Sequence, residues 1–238
     1  MLDDDSPNGA VGCFVPHSPL SHPSGQMNYA GRGFAPANKS CDASWASVYP
    51  SVVYATMRTE GDTSIARRNW AGLKRFIDNE IHRATQNASL GLRYMFTEFG
   101  DWISQPGPVP GGGDQGAAGQ QLSSFSFVKD LGHFVEIAEV LGKSGEEVAY
   151  YKAQLRRFQH EWHELYFRNG SYISGYLPNH FNATTNVFTP GLPGAVGGQP
   201  SNAVGLWLAT HGAAPSDARA KALKALVVDV IEHQNHTS

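Results

Sequence analysis

Cysteine is almost missing from this chain, with Cys13 and Cys41 the only two among 238 residues. They flank a Pro/Ser/Gly-rich segment. A bridge between them would close a long loop and contribute about 3 kcal/mol in the chain-entropy account, whereas two buried free thiols would add no such term. Both readings stay open. An excess of either charge is also missing: 18 Lys and Arg face 21 Asp and Glu, a net charge of −3. Nucleic-acid binding leaves a basic footprint, and this balance argues against it. The densest cationic stretch (Arg67, Arg68, Lys74, Arg75 and Arg83) shares one helix with Asp78 and Glu80 and reads as a solvated face. Apolar runs are short, none approaching the roughly 18 residues of a membrane span, so no membrane partner is expected. The N-terminus, Met1-Leu2-Asp3-Asp4-Asp5, is acidic where a signal peptide is basic and then apolar. Asn-x-Ser/Thr sequons at Asn38, Asn87, Asn169, Asn182 and Asn235 nevertheless point toward the secretory pathway for the full-length protein.

The helical signal is strong. Residues 1–43 read as an irregular segment, punctuated by Pro7, Pro16, Pro19, Pro23 and Pro36. Trp45, Val48, Tyr49, Val52 and Val53 then follow the spacing of an amphipathic helix, with Asp42 as its N-cap and a kink at Pro50. Gly61-Asp62 ends that helix and starts the next, whose stripe is Trp70, Leu73, Ile77 and Ile81. A second pair has Phe127, Leu131, Phe134, Ala138 and Leu141 on one face, with Gly142 and Gly145 as C-cap glycines. Its return helix carries Val148, Tyr151, Leu155, Phe158, Trp162 and Leu165, and Asn169-Gly170 turns the chain into a short extended piece. A third pair places Ala203, Leu206 and Trp207 inward, then, after a cap at Ser216, Leu223, Leu226, Val227, Val230 and Ile231. The spacing therefore predicts antiparallel hairpins near 44–83, 124–166 and 200–233, joined by long irregular segments where function tends to sit.

Several motif-like stretches carry no chemistry. Gly111-Gly112-Gly113-Asp114-Gln115-Gly116 matches the dinucleotide pattern, but Pro106, Pro108 and Pro110 precede it where a strand is needed. Gly142-Lys143-Ser144 lacks the first glycine of a phosphate loop and sits between helices. His160-Glu161-Trp162-His163-Glu164 spaces its histidines by three where a zinc-protease helix needs four. No G-x-S-x-G elbow is present. Neither a cofactor nor a metal is expected. The informative cluster is Phe99-Gly100-Asp101-Trp102, which sets a carboxylate that accepts hydrogen bonds from hydroxyls beside an indole that offers a flat apolar face. A sugar ring needs that combination.

Laid out in order, these segments resemble the catalytic domain of α-L-rhamnosidases of glycoside hydrolase family 78. Leu2 to Gly9 with Phe14-Val15-Pro16 is similar to the loop that follows the family's catalytic-acid segment. Trp45, Tyr49 and Pro50 resemble the helix that begins Pro-Ala-Trp-Gly-Asp-Ala. Phe99-Gly100-Asp101-Trp102 matches the aromatic-Gly-Asp-Trp motif, and Phe134 to Gly142 with Ala149-Tyr150-Tyr151 its helical hairpin. Gln199, Ser201-Asn202-Ala203 and His236-Thr237-Ser238 are similar to the Gln-Thr-Ala and His-Leu-Thr-Thr-Gly stretches.

The resemblance implies an all-α fold, an (α/α)6 toroid of six helical hairpins around a sugar pocket, of which about three hairpins fall in this chain. Residues 1–238 then form a partial catalytic domain, truncated at both ends. It implies inverting hydrolysis of terminal α-L-rhamnosides, with a rhamnose-containing glycoside or polysaccharide as partner. The general acid would lie before Met1 and the general base after Ser238, since neither motif is present. Asp101, Trp102, Trp45 and Glu98 are the substrate-binding residues it suggests. Ser47 stands where the family usually places a sugar-contacting aspartate, with Ala46 for the adjoining glycine. Alternatives are a non-catalytic carbohydrate-binding or structural remnant and a six-hairpin hydrolase for another sugar. The chain alone is expected to be inactive, and its oligomeric state is left open.

Overall fold

Local chemistry sets the helix boundaries. In the computed structural model, residues 28–29, 32–33, 43–85, 91–94, 117–173, 180–182, 187–189 and 199–234 are described. Two short strands come first, β1 (Asn28–Tyr29) and β2 (Arg32–Gly33), paired antiparallel. A single turn, α1 (Ala43–Ala46), leads into α2 (Val48–Glu60). Pro50 has no N–H to offer the carbonyl of Ala46, so the expected kink shows as a break at Ser47, one turn upstream. Gly61 ends α2 in the left-handed region at φ 67°, where a side chain would be strained. Asp62 then accepts from both the N–H and the hydroxyl of Ser64, each at 2.7 Å, and α3 (Ser64–Thr85) begins.

A 3₁₀ turn, Gly91–Tyr94, is tied by its Leu92 N–H to Glu161 at 2.8 Å. The second hairpin pairs α4 (Ala117–Val140) with α5 (Gly145–Tyr166). Gly142, at φ 64°, is the C-terminal cap as expected. Gly145 is not a cap but the first residue of α5. The N-cap is Ser144, whose hydroxyl accepts from the Glu147 N–H at 3.2 Å. Asn169 and Gly170 both have positive φ and form the two-residue turn between β3 (Phe167–Arg168) and β4 (Ser171–Tyr172). A further hairpin joins β5 (His180–Asn182) to β6 (Val187–Thr189). The last pair is α6 (Gln199–Leu208), which runs on into Ala209–Ala213 and ends there where His211 leaves the helical region and Gly212 turns left-handed at φ 91°, and α7 (Ser216–Val228), extended by a π turn over Asp229–Gln234. Pro215 occupies the cap position of α7 and Ser216 its first turn, so the expected Ser216 cap is not made.

The core lies between the hairpins. Leu73, Phe76 and Ile77 of α3 meet Phe127, Leu131 and Phe134 of α4 and Tyr151, Phe158 and Trp162 of α5, all fully buried. Each such side chain contributes on the order of 2 kcal/mol of transfer free energy. Rings interlock across the seams: Phe127 meets Phe158 edge-on at 5.0 Å, Phe134 meets Tyr151 at 4.8 Å, and Trp70 stacks on Phe134 at 4.7 Å. The ammonium of Lys143 covers the Trp70 ring at 4.4 Å.

Four expectations are corrected by burial. Val48 and Val52 of α2, read as inward, are exposed at 61% and 52% because α3 and α4 cover other sides of that helix. Ala203 is exposed while Leu208 and Ala209 are buried. On α7 the core-facing residues are the small Ala218 and Ala222; Leu223, Val227 and Ile231 stand on another face and are exposed, Ile231 at 65%. Arg83 also departs from the solvated face, since it is buried and paired with the buried Glu80 at 2.8 Å.

Close approach of α6 to β4 depends on Gly205. A Cβ there would overlap the Cγ and Cδ2 atoms of the buried Tyr172 ring and lie 2.7 Å from Cδ1. Tyr172 is also held through its hydroxyl by His163 Nδ1 at 3.0 Å and through its N–H by Asn202 at 2.9 Å, so it has little room to retreat. Gly205→Ala is expected to destabilise the chain by about 2 kcal/mol or more, read as a lowered urea midpoint with an unchanged slope.

Candidate functional site

Helices α2, α4 and α6 run parallel in a row. Ser47 and Tyr54 meet Asp130 and Glu136 of α4, and Gln121 and Phe125 of α4 meet Ser201 and Trp207 of α6, so residue numbers rise together along each pair. The starts of these helices therefore share one end. The segments that precede them, residues 1–42, 86–116 and 174–198, all join the row at that end.

Of the residues expected to bind substrate, only Trp45 is described. It sits on α1 at the shared end, half-buried, and packs against the hydrophobic core. Asp101, Trp102 and Glu98 lie outside the described residues, as do Cys13 and Cys41. The family-like stretch at the start of α6 has a structural part. Asn202 is fully buried, and its side-chain oxygen accepts from the Tyr172 N–H and, at 3.1 Å, from the Ser171 hydroxyl. His160 and Glu164 are exposed and His163 is buried against Tyr172, so the histidine pair of that helix does not converge. Among the described residues no three His, Cys, Asp or Glu side chains are placed to hold a metal ion.

A polar seam runs down the row, and the stripe reading missed it. Asp130 projects from the core side of α4, 1% exposed, and its Oδ1 accepts the Ser47 hydroxyl at 2.7 Å. Lys129 Nζ lies 3.5 Å from the same carboxylate oxygen and 3.2 Å from Ser51 Oγ. Burial pushes the Asp130 carboxyl up to about 7 and the nearby Glu80 carboxylate adds to this, while Lys129 and the Ser47 hydrogen bond pull the other way. A turn further on, His133 stacks on Tyr54 at 3.9 Å with the rings 5° apart, and meets Trp207 edge-on at 6.5 Å. Tyr54 donates to Glu136 at 2.8 Å, and burial with that bond raises its hydroxyl above the usual range. Trp207 in turn stacks on His211 at 3.8 Å. Lys129, His133 and Glu136 fall at i, i+4 and i+7, a second face of α4 readable in the sequence. Asp130, lodged between Phe127, Leu131 and Phe134, is the sharper signal, since a charge inside an apolar stripe needs a partner.

The seam's two carboxylates are engaged, one enclosed beside Ser47 and the other bonded to Tyr54. It is a positioning framework beneath the shared end. The profile of the bacterial α-L-rhamnosidase six-hairpin glycosidase domain matches this chain over residues 1–238. The chain belongs to that family. Its hairpins are part of the six-hairpin toroid. Among solved structures it is similar to an α-L-rhamnosidase from Dictyoglumus thermophilum, with TM-score 0.68 and 21% identity over 99% of this chain and 22% of that one. It is also similar to a rhamnosidase from Klebsiella oxytoca with rhamnose bound, more loosely, with TM-score 0.49 and 14% identity over 83% of this chain and 32% of that one. The chain thus spans less than a third of either relative's length, and the likeness to the first is one of fold. No curated protein matches it.

His133 gives this rhamnosidase-type domain an acid-side weakness. Burial, then the charges of Lys129 and His211, lower its imidazole from 6.5 to about 4. The unfolded chain takes up a proton near pH 6.5 while the folded chain resists until about pH 4, so this group's contribution is lost as pH falls through that window. Asp130 acts oppositely: its raised carboxyl contributes most in acid and loses its contribution as pH rises toward 7. Replacing His133 by Phe keeps a ring against Tyr54 and removes one of the two. The drop in melting temperature from pH 7 to pH 4.5 is expected to be smaller for His133→Phe than for the parent chain.

Proposed function

We propose that this chain is the part of an inverting α-L-rhamnosidase that carries one wall of its sugar pocket. The observation that supports the reading most is the family match along residues 1–238, set on a parallel helix row whose starts gather at one end. In this reading the substrate is a terminal α-L-rhamnoside of a glycoside or polysaccharide. Asp101 accepts hydrogen bonds from sugar hydroxyls, Trp102 offers its ring face, and Trp45 and Glu98 complete the wall. Inversion needs a carboxylic acid that protonates the leaving oxygen and a carboxylate that activates water on the opposite side, roughly 6.5–9.5 Å away. Neither family motif occurs in the 238 residues, so both groups come from sequence outside them. The five sequons favour a secretory route.

Two assays test this. The 238-residue chain on its own is expected not to release aryl alcohol from aryl α-L-rhamnosides, since acid and base must act together. Turnover by the isolated chain that Asp101→Ala abolishes would instead place catalysis inside it. In the longer polypeptide, Asp101→Asn is expected to lower kcat/KM for such a substrate by more than about tenfold, with the melting temperature nearly unchanged. A large stability loss with normal kinetics would make Asp101 a structural cap.

A further inference from the structure

We propose that the Asp130–Ser47 hydrogen bond is a latch governed by the protonation of Asp130, and that it sets the break between α1 and α2 and with it the position of Trp45. At the break the Ser47 backbone stays helical, at φ −56° and ψ −18°, but the ladder is one bond short. Pro50 leaves the Ala46 carbonyl without its helical partner, and the joint is held by Ser47 N–H to Ala43 O at 3.0 Å and Ser51 N–H to Ser47 O at 3.1 Å. The Ser47 side chain adds a bond that reaches across to the Asp130 carboxylate of α4, at 2.7 Å, beside the longer one from Lys129 to Ser51.

The groups around the latch come from three elements. From the break comes the Ser47 hydroxyl; from α3 comes Glu80, paired with Arg83; from α4 comes Lys129. Asp130 Oδ2 is enclosed and has no hydrogen-bond partner among the described residues. That oxygen is where a proton resides when the carboxyl is neutral. A hydroxyl bound to a carboxylate is held roughly twice as strongly as one bound to a neutral carboxyl. Ionised Asp130 thus grips Ser47, and protonated Asp130 loosens it. Burial places the change at about pH 7, where the group's charge alters under ordinary conditions. Trp45 lies two residues before Ser47, half-buried, so a change of angle at the break alters its surroundings. What this means for sugar binding rests on the reading of Trp45 as a pocket residue. The latch itself does not, and its test uses no sugar.

The chain is produced with 5-fluorotryptophan, and the Trp45 resonance is assigned by its loss in Trp45→Phe. The fluorine shift of Trp45 is expected to titrate once between pH 5 and 9, with a midpoint near 7. Asp130→Asn should abolish that titration. Ser47→Ala removes the latch itself, so the Trp45 resonance should lose its response to Asp130, whereas Lys129→Met keeps the latch and, by removing a positive charge, should move the midpoint to higher pH. Ser47→Ala leaves the buried carboxyl in place and carries the test if Asp130→Asn does not fold. A parent resonance that is flat from pH 5 to 9, or a titration of Trp45 that survives unchanged in Asp130→Asn or in Ser47→Ala, would overturn the proposal. Failure of the rhamnoside assays with a normal titration would remove the sugar reading and leave the latch standing.

Discussion

The packing of α4 against all its neighbours is the constraint on which the rest of the structure depends. One helix touches α1, α2, α3, α5 and α6, so each hairpin is fixed relative to the others through it. Its buried face, Phe127, Leu131, Phe134, Ile137 and Ala138, leaves no space for a shifted register, because interiors are packed as densely as organic crystals. Displacing α4 by one residue would expose that face and pull Asp130 away from Ser47. A single helix therefore couples the stability of the domain to the geometry of its polar seam.

The seam shows why buried charge occurs where it does. Asp130 is taken out of water at a cost that burial in apolar surroundings makes substantial, and Ser47 and Lys129 recover only part of it. In the latch proposed above, that cost serves the joint that Pro50 leaves one backbone hydrogen bond short. The stacked pair Tyr54–His133 and the edge-on pair His133–Trp207 extend the contact across all three parallel helices with planar groups, which fix orientation as well as separation.

Legibility in the sequence followed burial. The stripes of α3, α4 and α5 were readable because each of those helices presents one continuous apolar face to a neighbour within the chain. Those of α2 and α7 were misread because Val48, Val52, Leu223, Val227 and Ile231 are spaced like core residues while nothing among the described residues covers them. Periodicity records that a face is apolar and does not record what packs against it. Asp130 was overlooked for a related reason, since counting apolar positions passes over the one charge set among them. The family, by contrast, was legible through short motifs such as Phe99-Gly100-Asp101-Trp102, whose residue types no helical pattern encodes.

The parallel row also bears on how such a domain can change. Because the segments ahead of α1, α4 and α6 all join at one end, lengthening any of them leaves the helix contacts untouched. The entropic cost of a longer loop grows only logarithmically, about 0.6 kcal/mol per doubling. Loop length and composition can therefore drift through many variants while the scaffold stays within its stability margin. Change in those segments is thermodynamically cheap, whereas change in the α4 contacts is costly.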